Sequence, residues 1–232
     1  MPPAADVIQL LAKARLFEGV SAAELEALRP AVRLRTFPKD SHVFREGDPG
    51  SHLYLVTSGQ VKIVKVSEGG GEIVFAIVGA GELFGELSLF EAEGERSADA
   101  IALEPTDCAL LARDPIHAFL LGHPTLLLRM ISSLVGYIQR KDRAMAEVAF
   151  LDIPGRVAQR LVDLAESRGE RVGEGVVIRI PLSQRTLAGM VGASRENVNR
   201  ALQRFVELGY IRQARGTITV LKQDELRKRA SR

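Results

Sequence analysis

The sequence contains little cysteine and no long apolar run. Cys108 is the single cysteine among 232 residues, which excludes an intramolecular disulfide framework and any iron–sulfur or zinc site built from several thiolates. No apolar stretch approaches the roughly 18 residues that a membrane-spanning helix needs. The start, MPPAADVIQL, lacks the charged and apolar regions of a signal peptide. We therefore expect a soluble, cytoplasmic protein.

The motifs of the common enzyme classes are also missing. The histidines show no metal-ligand spacing, and Gly69-Gly70-Gly71 is not followed by the Lys-Ser/Thr of a phosphate-binding loop. We find no pairing of a nucleophile with a base and no dinucleotide-binding loop. We therefore expect neither catalysis nor a bound metal.

The charge is distributed unevenly along the chain. Residues 1–152 carry 15 Lys and Arg against 21 Asp and Glu, whereas residues 153–232 carry 16 against 8, and the whole chain has a net charge of +2. A basic C-terminal third indicates a polyanionic partner for that part of the chain, most simply nucleic acid.

The N-terminal part of the sequence predicts a β domain preceded by short helices. Ser21 and Glu24 form a capping-box pattern. From Val32 to Leu111, short runs such as HLYLV and QVKIVKV alternate with glycine-rich turns, as in an antiparallel sandwich or barrel. We expect Asp114 to cap a further helix that stops at Gly122.

The longest predicted helix carries a heptad row of apolar residues with one charged member. This row comprises Leu127, Ile131, Leu134, Ile138, Lys141, Met145 and Val148. Two partners fit it, namely the β domain of the same chain or a second copy in a parallel coiled coil, and we favour the second. The segment FLDIPG interrupts the helix at Pro154, where the charge changes sign, and is the predicted hinge.

The stretch LSQRTLAGMVGASRENVNRALQRFVELGYI predicts a helix, a tight turn at Gly192 and a second helix capped by Ser194, which is a helix-turn-helix. The predicted buried residues are Leu187, Ala188, Val191, Val198, Leu202 and Phe205. The outward residues of the second helix are Arg195, Glu196, Asn199, Arg200 and Gln203. Arginine can pair with guanine and glutamate can accept from cytosine, so this face is suited to reading bases. A solvated helix face of mixed charge is the alternative.

Two β-strands are predicted after this element, and they form a wing. Arg212 and Arg215 are expected near backbone phosphates, where they position the protein without selecting a sequence. The tail RKRASR either attracts phosphate without specificity or is solvated, and we favour solvation.

A second dense motif lies in the β domain. Gly85 permits a close backbone approach in FGELSLF, and Arg96 and Ser97 follow in ERSA. Arg96 can bind a phosphate with two hydrogen bonds, and Glu86 can accept from a sugar hydroxyl. A structural ion pair between Glu86 and Arg96 is the alternative.

Together these motifs resemble the Crp/Fnr transcription regulators. FGELSLF with ERSA looks like the phosphate-binding cassette of the cyclic-nucleotide-binding fold, and VGASRENVNRAL looks like the family's recognition helix. The resemblance extends over nearly the whole chain and is strongest to the cyclic-AMP receptor proteins. It implies an α+β architecture with a cyclic-nucleotide-binding β-roll of jelly-roll type (1–122), a long dimerisation helix and hinge (123–152) and a winged helix-turn-helix domain (153–232).

The resemblance also implies roles for individual residues. The cyclic phosphate and ribose of cyclic AMP would be held by Gly85, Glu86, Leu87, Arg96 and Ser97. Arg195, Glu196 and Arg200 would read a TGTGA-like half-site of a palindromic operator. The implied partners are duplex DNA, a second copy of the chain and, for an activator, RNA polymerase.

One pair of residues departs from the family pattern. Cyclic-AMP receptors have Thr then Ser on the dimer helix where this chain has Lys141 and Asp142. Either Lys141 pairs with a carboxylate and Asp142 is solvated, or Asp142 accepts from the adenine amino group while Lys141 donates to a ring nitrogen. The functional alternatives that follow are a regulator that binds DNA without an effector and, from another class, a cyclic-nucleotide-binding regulatory subunit of an enzyme.

Overall fold

The described part of the chain forms two compact units. The computed structural model describes residues 4–89, 94–179, 183–214 and 217–231. The first unit comprises residues 1–65 and 75–137, and the second comprises residues 66–74 and 138–232.

The first unit contains most of a β-roll built from two antiparallel four-stranded sheets. In spatial order, the strands of one sheet are β1 (Val32–Phe37), β8 (Thr106–Ala112), β3 (His52–Ser58) and β6 (Leu83–Phe84). Those of the other sheet are β2 (His42–Phe44), β7 (Asp99–Ala102), β4 (Gln60–Val66) and β5 (Glu72–Gly79). The predicted antiparallel β domain is confirmed.

Strand β3 is buried on both of its faces, which explains its nearly continuous apolar sequence. Tyr54 and Val56 belong to a hydrophobic cluster formed by residues of both sheets. Leu53 and Leu55 point the other way, into a cluster shared with the N-terminal helices. Successive side chains of a strand alternate between its faces, so one run can serve both clusters.

Helices cover the outer cluster of the first unit. They are α1 (Ala4–Lys13), α2 (Ala22–Leu25) and α3 (Arg113–Leu121), joined by 3-10 turns at Arg15–Phe17 and Glu26–Ala31. The capping box at Ser21 and Glu24 is confirmed, as is Gly122 as the end of α3. The predicted cap at Asp114 is wrong, because Ala112 is the N-cap and Asp114 lies in the first turn. An acidic residue is favourable there as well, since it faces the positive end of the helix dipole.

Helix α4 (Pro124–Phe150) is the long helix that the sequence predicts. Among the described residues, no single helix is both long and apolar enough to cross a membrane. Helices α3 and α4 reach that length and composition only when they are taken together, and the chain bends by 112° between them.

The helix break at the predicted hinge differs from the prediction in its detail. Helix α4 ends at Phe150, and α5 (Ile153–Arg168) begins three residues later. Asp152 caps α5, where its carboxylate accepts a hydrogen bond of 2.9 Å from the backbone N–H of Gly155. Pro154 therefore does not interrupt α4. It lies in the first turn of α5, where a missing backbone N–H costs no helical hydrogen bond.

The second unit has further helices and a four-stranded sheet. The helices after α5 are α6 (Gln184–Val191), α7 (Arg195–Glu207) and α8 (Gln223–Ala230). In spatial order, the strands are β11 (Ile211–Ala214), β12 (Thr217–Val220), β10 (Gly175–Ile178) and β9 (Gly169–Val172). The helix-turn-helix and the wing are confirmed. Strand β9 was not predicted, and α8 includes most of the tail that was predicted to be solvated.

Candidate ligand cradle and nucleic-acid interface

A tight turn after β6 brings the backbone against a buried arginine. Gly85 has φ +82°, and a Cβ built at this position would lie 2.7 Å from Nη1 of Arg96. The positive φ and the close approach both require glycine. A short 3-10 turn at Leu87–Leu89 follows. We call Gly85, Ser88 and Arg96 the cradle.

Hydrogen bonds hold the guanidinium of Arg96 in the cradle. Nη1 donates to the carbonyl of Gly85 at 2.9 Å and to Oγ of Ser88 at 2.8 Å. Nη2 donates to the carbonyl of His52 at 2.6 Å. Nε is buried and has no hydrogen-bond partner among the described residues. Nη1 and Nη2 are thus hydrogen-bonded within the domain, whereas the N–H of Nε has no acceptor in its described part.

Arg96 is a deeply buried cation. It is 4% exposed, and its guanidinium carbon lies 4.3 Å from the ring centroid of Phe44 and 5.4 Å from that of Tyr54. Burial lowers the pKa of Arg96, while Tyr54, Glu86 and Asp48 act in the opposite direction. The hydrogen bonds in the cradle go to carbonyl and hydroxyl oxygens, so the acceptors that hold this cation there are neutral. Such a site favours an anion.

The other predicted ligand residues are placed as follows. Glu86 and Leu87 are half-buried beside the cradle, and Ser97 is exposed next to Arg96 in the chain. Lys141 and Asp142 are exposed on α4 in the second unit. Ser88 was missed by the sequence analysis, although it lies in the same FGELSLF motif.

The predicted heptad row of α4 is exposed except at its first and third members. Leu127 and Leu134 are half-buried, and Leu127 packs on the core of the first unit. The exposed members of the predicted row are Ile131, Ile138, Lys141, Met145 and Val148. An overlapping exposed row, also at alternating spacings of three and four, comprises Leu128, Ile131, Val135, Ile138, Asp142 and Met145. Lys141 and Asp142 are thus both exposed, and the charged member of the seam stays a prediction.

The helix-turn-helix depends on two caps and one glycine. Ser183 caps α6, and Ser194 caps α7 by accepting from the backbone N–H of Asn197 at 3.3 Å. Gly192 ends α6 with φ +62°. All of the predicted buried residues are buried, and Ala201 joins them.

The predicted base-reading face of α7 is largely open to solvent. Arg195, Glu196, Arg200 and Gln203 are exposed, while Asn199 is half-buried and accepts a hydrogen bond of 2.9 Å from Gln184 of α6. Arg200 donates to the side chain of Asn197 on the same helix. Hydrogen bonds from its own backbone N–H and from Ser194 lower the pKa of Glu196. Its carboxylate therefore stays ionised and helps to cap the helix.

The wing follows α7. Strands β11 and β12 pair in antiparallel register, and Arg212 on β11 is exposed. The other predicted wing contact, Arg215, lies outside the described residues.

The comparisons with known proteins agree with this geometry. Residues 34–123 match the cyclic nucleotide-binding domain, and residues 155–229 match the Crp-like helix-turn-helix domain. A CRP-like cAMP-activated global transcriptional regulator of Mycobacterium tuberculosis is 33% identical over 96% of this chain and 99% of its own length. The chain belongs to the Crp/Fnr family of transcription regulators.

Other relatives also match this chain over most of its length. The cyclic AMP receptor protein of Thermus thermophilus is 35% identical over 88% of this chain and 91% of its own length. The solved structure of CLP, a c-di-GMP responsive global regulator of Xanthomonas campestris, has a TM-score of 0.75 at 26% identity and covers 86% of this chain and 99% of that one. The prediction of a DNA-binding regulator without catalysis is confirmed. In this chain, the cradle lies in the cyclic nucleotide-binding domain, and α6 and α7 lie in the Crp-like helix-turn-helix domain.

Proposed function

We propose that the regulator is a homodimer whose affinity for a palindromic operator is controlled by a cyclic nucleotide, which we take to be cyclic AMP. One observation carries the effector part of this proposal. A buried guanidinium is held by carbonyl and hydroxyl oxygens, and its Nε has no hydrogen-bond partner among the described residues. A bound phosphate would supply a negatively charged acceptor for this guanidinium.

The residues beside the cradle fit the rest of such a ligand. Glu86 can accept from the ribose, and Ser97 can donate to the phosphate. On α4, Asp142 can accept from the adenine amino group and Lys141 can donate to a ring nitrogen. Cyclic AMP is favoured because the Mycobacterium tuberculosis and Thermus thermophilus relatives are described as responding to it.

Calorimetry with cyclic AMP, cyclic GMP and cyclic di-GMP tests the choice of effector. We expect cyclic AMP to bind the wild type and Arg33→Ala, which removes an exposed arginine of β1. Arg96→Ala should lose nucleotide binding. Arg96→Lys keeps a cation in the core, so it shows whether the loss follows from the absence of the planar guanidinium donors. If none of the nucleotides binds the folded wild type, the regulator acts without a small-molecule effector. Cyclic di-GMP is the second candidate because CLP responds to it.

The exposed row of α4 supports the homodimer. Leu128, Ile131, Val135, Ile138 and Met145 are 46–74% exposed, at the spacing of a coiled-coil seam. A second copy presents the same row and can cover it along its whole length. Ile138→Glu should convert the dimer to monomer in analytical ultracentrifugation, while Gln139→Glu, one residue off the row, should not. A wild type that is monomeric at micromolar concentration would refute the dimer.

The exposed face of α7 supports sequence-specific binding. We propose that Arg195, Glu196 and Arg200 read a TGTGA-like half-site, with Ser194, Asn199 and Gln203 beside them. Arg212 and Arg215 then contact backbone phosphates. Two-fold symmetry places the half-sites one helical turn apart, about 34–36 Å. We further propose a cytoplasmic activator that contacts RNA polymerase, on the basis of the family alone.

Binding of a fluorescent operator duplex, with and without cyclic AMP, tests the switch. We expect cyclic AMP to tighten operator binding by about 5- to 150-fold, the usual range of coupling between two sites. A duplex with a scrambled half-site is the control and should show a smaller gain. Equal operator affinity in both conditions would remove the switch and leave a regulator controlled by its abundance.

A further inference from the structure

The C-terminal helix α8 is fixed to the body of the DNA-binding domain. Leu226 is fully buried. Arg227 pairs with Glu166 of α5 at 2.6 Å, and Arg229 pairs with Asp152, the cap of α5, at 2.5 Å. The charged tail is therefore a folded part of the domain, and its outward side chains have defined positions.

A cavity of about 520 Å³ lies between α8 and the recognition helix α7. The flank of α7 and its C-cap residue form one wall, and α8 contributes Glu225, Lys228 and Arg229. The residues of that wall are Asn197, Arg200, Ala201, Arg204, Phe205 and Leu208. Tyr210 and the start of α5 complete the lining. We call this cavity the α7–α8 groove.

The charge of the groove suits a polyanion. Its lining brings together Arg200, Arg204, Lys228 and Arg229 with the carboxylate of Glu225. Lys228 pairs with Glu225 at 2.7 Å and Arg204 with Glu207 at 3.1 Å, but both cations are 66% exposed. Exposed ion pairs contribute little to stability, so these cations can exchange a carboxylate for a phosphate at small cost.

The position of the α7–α8 groove beside the recognition helix indicates which polyanion it would bind. Arg200 belongs both to the predicted base-reading face and to the groove wall. An α-helix with its side chains is about 10–12 Å wide and nearly fills the roughly 12 Å major groove, so a phosphodiester backbone runs along its flank. The α7–α8 groove lies on such a flank.

We propose that the α7–α8 groove receives the phosphodiester backbone beside the half-site, with Arg204 of α7 and Lys228 of α8 as phosphate contacts. This inference rests on the proposed insertion of α7 into the major groove. It gives α8 a function in DNA binding that is independent of the base sequence.

The salt dependence of DNA binding tests this proposal. Each phosphate contact contributes about 0.9 to the slope of log affinity against log salt, so the fourfold step from 50 to 200 mM weakens binding by about 3.5-fold per contact. Lys228→Ala should reduce the loss of affinity over this step by about 3.5-fold. Arg204→Ala with Lys228→Ala should reduce it by about 12-fold. The reduction should be the same for operator and random duplexes.

Lys222→Ala is the matched control, because Lys222 is an exposed lysine just before α8 that does not line the groove. The proposal is overturned if Lys228→Ala and Lys222→Ala have the same slope as the wild type. It is also overturned if Lys228→Ala weakens binding of inorganic pyrophosphate while the DNA slope is unchanged, since the groove is then a small-anion site. A lack of operator selectivity or of a nucleotide response would count against the proposed function. The salt slopes measured on random duplex would still test the α7–α8 groove in that case.

Discussion

Replacing Gly85 by alanine tests whether the cradle depends on the close approach of its backbone to Arg96. The left-handed backbone alone should cost about 1–2 kcal/mol for an alanine. The new Cβ would also lie 2.7 Å from Nη1 of Arg96, so the guanidinium must shift. Loss of one hydrogen bond to a charged group adds about 1.5–3 kcal/mol.

Gly81→Ala is a close control for that substitution. Gly81 has φ +84°, and a Cβ there would meet no atom within 4 Å, so it carries the backbone strain without the collision. In chemical denaturation, we expect Gly85→Ala to lower the free energy of unfolding more than Gly81→Ala does. In calorimetry, the nucleotide affinity of Gly85→Ala should fall by about 10- to 150-fold, the equivalent of the lost hydrogen bond, and that of Gly81→Ala should not change. Equal results for the two variants would refute the argument that Gly85 positions Arg96.

Further predictions concern the other parts of the molecule. Arg200→Ala should cost about 1–3 kcal/mol on the operator and relax the preference at one guanine, as competition between operator variants would show; an equal loss on all sequences would make Arg200 a phosphate contact. Burial raises the pKa of Cys108 to about 12, so its thiol should resist alkylation at pH 8 until the protein is unfolded, as mass spectrometry would show. Arg229 and then the N–H of Gly155 hold the pKa of Asp152 below its ordinary value of 3.8. The stability from this pairing should therefore be present above that value and lost as the pH falls below it, so acid denaturation of the wild type and Arg229→Ala should converge at low pH.

Short-range signals in the sequence were sufficient to predict the DNA-binding element. Ser194 and Gly192 determine where α7 begins and α6 ends through local hydrogen bonds and backbone angles. The buried and exposed sides of α7 follow from its 3.6-residue period. Nothing distant in the chain is needed to establish these features.

Elements without an apolar period could not be predicted in this way. All residues of β9 are exposed, so its sequence shows no alternation, and only its pairing with β10 makes it a strand. Helix α8 buries only Leu226 and Ala230, which is too small an apolar stripe to distinguish from a solvated tail. Its position is set by packing against α5, which is distant in sequence.

The position of Asp142 links the parts of the proposed mechanism. Helix α4 belongs in part to each unit, and Asp142 interrupts its apolar row between Ile138 and Met145. In a parallel dimer through this row, two Asp142 carboxylates lie opposite each other. Like charges in a partly desolvated seam repel, so the seam is weakest at this point. An adenine amino group that donates to Asp142 would relieve that repulsion, so in the proposed mechanism binding of the base would tighten the seam just ahead of the predicted hinge at Asp152.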